Sequence, residues 1–252
     1  MNYAFKLAYD GTNYGGWQMQ KNSDTVQAHV ESALSEVFGK KITVLASGRT
    51  DSGVHAAAQV CNFNTDYLLP AEKLAAAVNP LLPPDIKLLQ SAEAPENFNA
   101  NKSAKKKTYC YRLYISPTSH PLKDRNSVQV TAVDIQKLKH ISTIFVGEHD
   151  FKAYRTSGAT VKTTVRTVYS IEVVERTSHS SPDIEIRITG NGFLYNMVRT
   201  IVGTMLYYAW GRISEADIEK SLTTGERALV GKTMPPQGLT LEDVDYGFKL
   251  FN

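Results

Sequence analysis

An α+β fold of two βαββαβ halves, with mainly antiparallel sheets, is predicted by three features of the chain. Short runs alternate apolar and polar residues. Longer runs place apolar residues at helical spacing, between capping residues and glycines. The order of these elements recurs in the two halves. Tyr3 to Tyr9 alternates, with Phe5, Leu7 and Tyr9 on one face, and predicts a strand. Asp10-Gly11 and Gly15-Gly16 end it. Asp24 reads as an N-cap with Gln27 three residues on, in the manner of a capping box. Val26, Val30, Ala33, Leu34, Val37 and Phe38 then follow at helical spacing, and Gly39 stops the helix. Strands follow at Ile42 to Ala46 and Gln59 to Asn64. Pro70 opens a short helix through Val78, and a strand runs from Ile86 to Leu89. This order is the split βαβ of ferredoxin-like folds.

The second half repeats the order without repeating the residues. Thr108 to Ile115 alternates as a strand, and Asp134 to Phe145 is an amphipathic helix closed by Gly147. Val165 to Val174 and Ile184 to Ile188 read as strands of a hairpin around the polar stretch Arg176 to Pro182. A long apolar helix is expected from Phe193 to Ala209, a short one from Ser214 to Leu222, and a last strand from Leu239 to Phe248. The expected division is residues 1–104 and 105–252, with an active-site cleft between the halves.

Composition narrows the class. The chain has 252 residues, 42% of them hydrophobic and 21% charged, which is globular usage and not that of a disordered or collagen-like chain. Cys61 and Cys110 are far apart with no CxxC, so neither a disulfide framework nor a cysteine zinc site is expected, and a reducing, cytoplasmic setting is. Met1 to Gly11 has no basic segment leading into an apolar run, so no signal peptide is expected. The most apolar stretch, Phe193 to Trp210, carries Asn196, Arg199 and Thr200, which argues against a membrane span. Net charge is only +3, but Lys102, Lys105, Lys106 and Lys107 cluster just before Arg112, a local match for a polyanion.

Several familiar chemistries fail on spacing. Gly231-Lys232-Thr233 has Glu226 where a phosphate loop needs its first glycine. Gly11, Gly15 and Gly16 make no GxGxxG, and neither HExxH nor GxSxG occurs. A metal hydrolase, a nucleotide triphosphatase and a serine hydrolase lose ground accordingly. The informative segment is Gly48-Arg49-Thr50-Asp51-Ser52-Gly53-Val54-His55-Ala56. In an extended tip, Arg49 and Asp51 project to the same side. A neighbouring cation keeps such a carboxylate ionised, and an ionised, positioned carboxylate can attack an electrophilic carbon. The residues alone also fit an ordinary polar turn with a surface ion pair worth about 0–1 kcal/mol.

GRTDSGVHA resembles the active-site signature of the tRNA pseudouridine synthase A family. Five further segments match that family in order: YDGTNYGGWQMQ from Tyr9, TVQAHVESAL from Thr25, KKKTYCYRLY from Lys105, GNGFLYNMVRTIVGTM from Gly190 and MPPQGLTLEDVDY from Met234. Ser52 and Cys110 depart from the usual pattern, and neither is assigned chemistry. The resemblance implies isomerisation of uridine to pseudouridine in the tRNA anticodon stem-loop, at positions 38, 39 and 40 of the tRNA. It implies a homodimer and no cofactor or metal.

The resemblance makes Asp51 the nucleophile and leaves open whether it acts at base C6 or ribose C1′. It makes Tyr109 the ring that packs on the target base, Arg199 the partner of Asp51, and Arg49 a residue that holds the extruded nucleotide. Met197, Val198, Ile201 and Val202 surround Arg199, and an arginine among apolar neighbours needs an anionic partner. Lys105, Lys106, Lys107 and Arg112 are the expected RNA contacts. His55, Trp17 and Gln18 are read as structural. A non-catalytic RNA-binding module is the rival from another class. A hydrolase pairing Asp51 with Glu148 or Asp150 is a second.

Overall fold

The computed structural model describes residues 1–67, 69–156, 161–177 and 182–251. They form two compact units. The first is Met1–Lys107 with Leu241–Asn252, and the second is Thr108–Thr240.

The first unit begins with β1, Asn2–Tyr9, as its alternation predicts. Helix α1 spans Val26–Phe38 and ends at Gly39, whose φ of 64° is the left-handed conformation that glycine adopts without penalty. Its start departs from expectation. Thr25 is the N-cap residue, and no side chain caps the helix. Asp24 instead meets His29 Nε2 at 2.8 Å, and Gln27 turns forward to Glu31 at 2.8 Å. Strand β2 is only Leu45–Ala46, shorter than expected, and β3 begins early, at His55, and runs to Asn64. Pro70 precedes a 3₁₀ turn, Ala71–Lys73, and sits just outside the helical residues; α2 is Leu74–Val78. Strand β4, Ile86–Ala94, outruns the Ile86–Leu89 expectation.

In the second unit, β5 (Lys106–Ile115, its first two residues in the first unit) is followed by β6, Val128–Val130, a short parallel partner that periodicity does not reveal. Helix α3, Ile135–Ser142, is capped by the Asp134 carboxylate, which accepts from the amides of Gln136 and Lys137. Its predicted last turn is a 3₁₀ segment, Thr143–Phe145. Gly147 then opens β7, Gly147–Asp150, an unpredicted edge strand. Strands β8, Val165–Thr177, and β9, Pro182–Gly190, pair antiparallel from Val168↔Gly190 to Thr177↔Pro182. The tip of the expected hairpin lies outside the described residues.

Helix α4 is Met197–Ala209, four residues shorter at its start than the apolar pattern suggests. Asn196, with φ 64°, breaks the helical path there. Helix α5, Glu215–Thr224, carries a full capping box between Ser214 and Asp217. Strand β10, Leu239–Asp245, starts in the second unit and continues in the first from Leu241.

The sheet order in the first unit is β4-β1-β3-β10, with β2 on β3. Strand β1 pairs antiparallel with both β3 and β4, and β2 pairs antiparallel with β3. In the second unit the order is β5-β9-β8-β7, with β6 on β5. The fold is α+β, with two ferredoxin-like halves and a largely antiparallel pattern of pairing. Tyr3 stacks on Phe63 at 5.3 Å, and Phe38 meets Phe63 edge-on at 5.4 Å, so α1 closes over one face of the first sheet. In the second unit Ile184, Ile186 and Ile188 alternate inward along β9, and Leu138 and Ile141 of α3 are fully buried with Ile201 and Met205 of α4. Helix α3 packs against α4 and β8.

Candidate functional site

The Gly48–Gly53 turn joins β2 to β3 and is tied down at almost every residue. Ser47, fully buried, donates its amide to Val60 O at 2.7 Å and its Oγ to Gln59 Oε1 at 2.7 Å. Gln59 Nε2 returns to Gly48 O at 2.6 Å. Thr50 is buried; its Oγ1 is 2.8 Å from the Tyr9 hydroxyl, and its carbonyl accepts from Trp17 N at 3.0 Å. The Asp51 carbonyl accepts from Val54 N at 3.1 Å, and Tyr14 O accepts from both Gly53 N and Ser52 Oγ. Asp51 is half-buried and Arg49 exposed. The carboxylate thus stands at the tip of a turn whose backbone has little room to relax.

Two glycines make that close packing possible. A Cβ on Gly11 would lie 2.0 Å from Val54 O. A Cβ on Gly16, whose φ is +97°, would lie 2.6 Å from Thr50 O and 3.0 Å from Asp51 C. Only a residue without a side chain lets the 14–17 segment run this close behind the turn. Trp17 is buried and Gln18 bonds Gln27, so both hold this segment onto α1. His55 is buried at the start of β3, where its Nδ1 accepts from Gly11 N at 3.0 Å, a structural engagement.

The basic run enters the same unit. Lys105 N bonds Asp245 O at 2.8 Å, and Lys105 and Lys106 are exposed. Lys107 Nζ donates to Ser47 O, as Asn101 Nδ2 does, so Lys107 is brought to the root of the Asp51 turn.

The second unit carries Tyr109, Arg112 and Arg199. Tyr109, on β5, is buried and meets Phe193 edge-to-face, with ring centres 5.3 Å apart. Arg112 donates to Thr240 Oγ1 at 3.0 Å and lies 3.6 Å from Glu185. Arg199 sits in the first turn of α4. Its Nε donates to Met234 O at 2.7 Å and its Nη1 to Asn196 Oδ1 at 2.6 Å. The Met234 amide returns to Arg199 O at 3.2 Å. One position further along β5 from Cys110, the Tyr111 hydroxyl donates to Pro235 O at 2.7 Å. Burial pushes the Tyr111 phenol far above the ordinary tyrosine range, with the Arg199 charge pulling slightly back, so it remains a proton donor. The 233–236 segment is therefore stitched to both β5 and α4.

Sequence reasoning missed the supports of this arrangement: Gly16, Tyr9, Tyr111, Asn196 and the Met234 carbonyl. The Gly15-Gly16 pair was a signal for a close approach; a main-chain carbonyl leaves none. Among the described residues no group of three or more His, Cys, Asp or Glu side chains is placed to hold a metal ion. No helix among them is long and apolar enough to cross a membrane.

The family described as tRNA pseudouridine synthase matches residues 7–101 and 141–247. Those spans include Arg49, Asp51 and Arg199, while Lys105–Lys107, Tyr109 and Arg112 fall in the interval between them. The chain is 42% identical over 241 residues to tRNA pseudouridine synthase A of Ruminiclostridium cellulolyticum, covering 95% of this chain and 97% of that protein. It is 39% identical over 246 residues to the protein of the same name from Thermoanaerobacter sp., covering 97% and 99%. The namesake from Geotalea uraniireducens is 41% identical over 241 residues, covering 95% and 97%.

Proposed function

The chain belongs to the tRNA pseudouridine synthase family, and from that premise we propose that it isomerises uridine to pseudouridine in the anticodon stem-loop of tRNA, at positions 38, 39 and 40. It works without cofactor or metal, as a cytoplasmic homodimer. The C1′–N1 bond breaks, the uracil turns, C1′ joins C5, and the C5 proton leaves. Asp51 is the nucleophile. The observation that carries this is a half-buried carboxylate on a turn fixed through Thr50, Gly48 and Gly53, because a nucleophile gains most from being held before the reaction.

Arg199 pairs with Asp51, and Tyr109 packs on the target base. Arg49, exposed beside Asp51, holds the extruded nucleotide, whose removal from a stem costs a few kcal/mol. Lys105, Lys106, Lys107 and Arg112 contact RNA phosphates, a sequence-independent term that weakens with salt.

The test uses unmodified tRNA carrying tritium at uracil C5, incubated with wild-type protein and with Asp51→Asn. Release of tritium to water by the wild type, reduced at least about 1,000-fold in Asp51→Asn with tRNA binding kept, is the expected result. Release by Asp51→Asn at the wild-type rate would remove Asp51 from the chemistry. Binding without release by either protein would favour an RNA-binding module. Sedimentation of the active protein at assay concentration tests the dimer, and full activity in a monomer would sink it.

A further inference from the structure

We propose that Asn196 is a positioning residue that sets the orientation of the Arg199 guanidinium. The inference rests on the role given to Arg199 in the proposed reaction. Three observations on Asn196 point the same way.

Its backbone is unusual. Asn196 is the one non-glycine residue with positive φ among those described, at φ 64° and ψ 3°. L-residues avoid this region, and asparagine tolerates it better than most. Ordinary helical angles here would carry α4 back toward Phe193, as the apolar pattern predicts.

Its side chain is not used as its position suggests. Asparagine is among the best N-cap residues because its side-chain oxygen accepts from the first free amides of the helix. Asn196 is the N-cap of α4, yet its side chain makes no cap bond.

The amide is spent instead on a bridge. Oδ1 accepts from Arg199 Nη1 at 2.6 Å, and Nδ2 donates to Thr156 Oγ1 at 2.7 Å. Arginine only donates, so the amide oxygen must face it, which leaves Nδ2 for Thr156. Asn196 precedes the first turn of α4 that carries Arg199, and the two side chains meet across the start of the helix. With Nε held by Met234 O at 2.7 Å, the guanidinium is gripped at two nitrogens from two segments. Two bonds to a planar group fix its plane and its tilt. The left-handed turn delivers the amide to this bridge, at the expense of a helix cap.

The discriminating variant is Asn196→Gly. Glycine accepts the backbone angles and removes only the amide. The expected result is a Tm within about 3 °C of wild type, tRNA affinity within about twofold, and kcat lower by roughly ten- to a hundredfold, the scale of a reacting group displaced by about an ångström. Wild-type kcat in Asn196→Gly would overturn the proposal. So would a lower Tm accompanied by lost tRNA binding, which would make the amide a structural brace.

The same substitution is then made on Arg199→Lys, which has no Nη1 to donate to the amide. If Asn196 acts through Arg199, the second change lowers kcat by less than about twofold. Independent, multiplying losses would overturn the proposal. An Arg199→Lys enzyme at the wild-type rate would instead sink the Arg199 role itself. A slow Arg199→Lys beside a fast Asn196→Gly would sink only the positioning.

Discussion

Replacing Gly16 with alanine tests how the turn that carries Asp51 is held. The new Cβ would sit 2.6 Å from Thr50 O, 3.0 Å from Asp51 C and 3.1 Å from Ser52 N. All three are main-chain atoms, so no flexible side-chain end can swing away. Reaching ordinary contact requires the two backbones to part by roughly an ångström. The φ of +97° adds a second difficulty, since a left-handed backbone costs an L-residue about 1–2 kcal/mol.

Parting the segments also stretches the 3.0 Å bond from Trp17 N to Thr50 O, worth about 1 kcal/mol. The sum is a destabilisation of about 2–3 kcal/mol. At about 2–4 °C per kcal/mol for a chain of this size, Tm falls by roughly 5–10 °C. Because the moving backbone is that of Thr50 to Ser52, the Asp51 carboxylate moves with it, and kcat should fall by about a hundredfold. Circular-dichroism melting and single-turnover tritium release at 25 °C measure the two effects on one preparation. A Gly16→Ala protein with wild-type melting and wild-type rate would refute the close approach as the reason for glycine.

Two further predictions concern the second unit. Burial pushes the Glu185 carboxyl up, but bonds from Arg176 at 2.7 Å and Arg187 at 2.9 Å outweigh it, and the group titrates below the usual carboxylate range. A depressed folded value means stability that is present above the ordinary carboxylate pKa and lost as pH falls through the lower folded one. Wild type should therefore be more stable than Glu185→Gln at pH 7 in urea titrations, with the gap closing as acid protonates the Glu185 carboxylate; a pH-independent gap would contradict this. Ser214→Ala removes the capping box at the start of α5 and should cost about 1 kcal/mol in the same titrations without changing the rate of tritium release; an unchanged urea midpoint would refute the cap's contribution.

Where one physical signal dominated, the sequence could be read. The alternation from Phe5 to Tyr9 in β1 and the 3.6-residue spacing of α1 identified both elements, because there one face is more deeply buried than the other. Competition between signals produced the errors. Asp24 looks like a cap, but its carboxylate goes to His29, and the helix starts one residue later. The apolar run from Phe193 reads as helix throughout, and nothing local shows that Asn196 turns left-handed within it. Strands β6 and β7 are three and four residues long, too short to display a period. In the candidate site, motif resemblance supplied the residues to which chemistry is proposed. Their supports rest on main-chain carbonyls of Thr50, Met234 and Pro235, and a carbonyl is the same at every position in a sequence.

Strand β10 has a consequence for how the protein is made. The sheet of the first unit is built from β4, β1 and β3 of the first hundred residues and then β10, whose residues from Leu241 belong to that unit. The Tyr246 hydroxyl, on the same stretch, donates to Ala100 O at 2.8 Å, and the Tyr246 ring meets Phe98 edge-on at 5.0 Å. A ribosome adding about 5–20 residues per second needs on the order of ten seconds to travel from the end of the first unit's leading segment to this strand. For that interval the edge of β3 that β10 will join is covered only by the two residues of β2, and the rest of it is unpaired, the feature most prone to wrong pairing between chains. The second unit is synthesised entirely within the wait, so the half that begins first on the ribosome is the last to be completed.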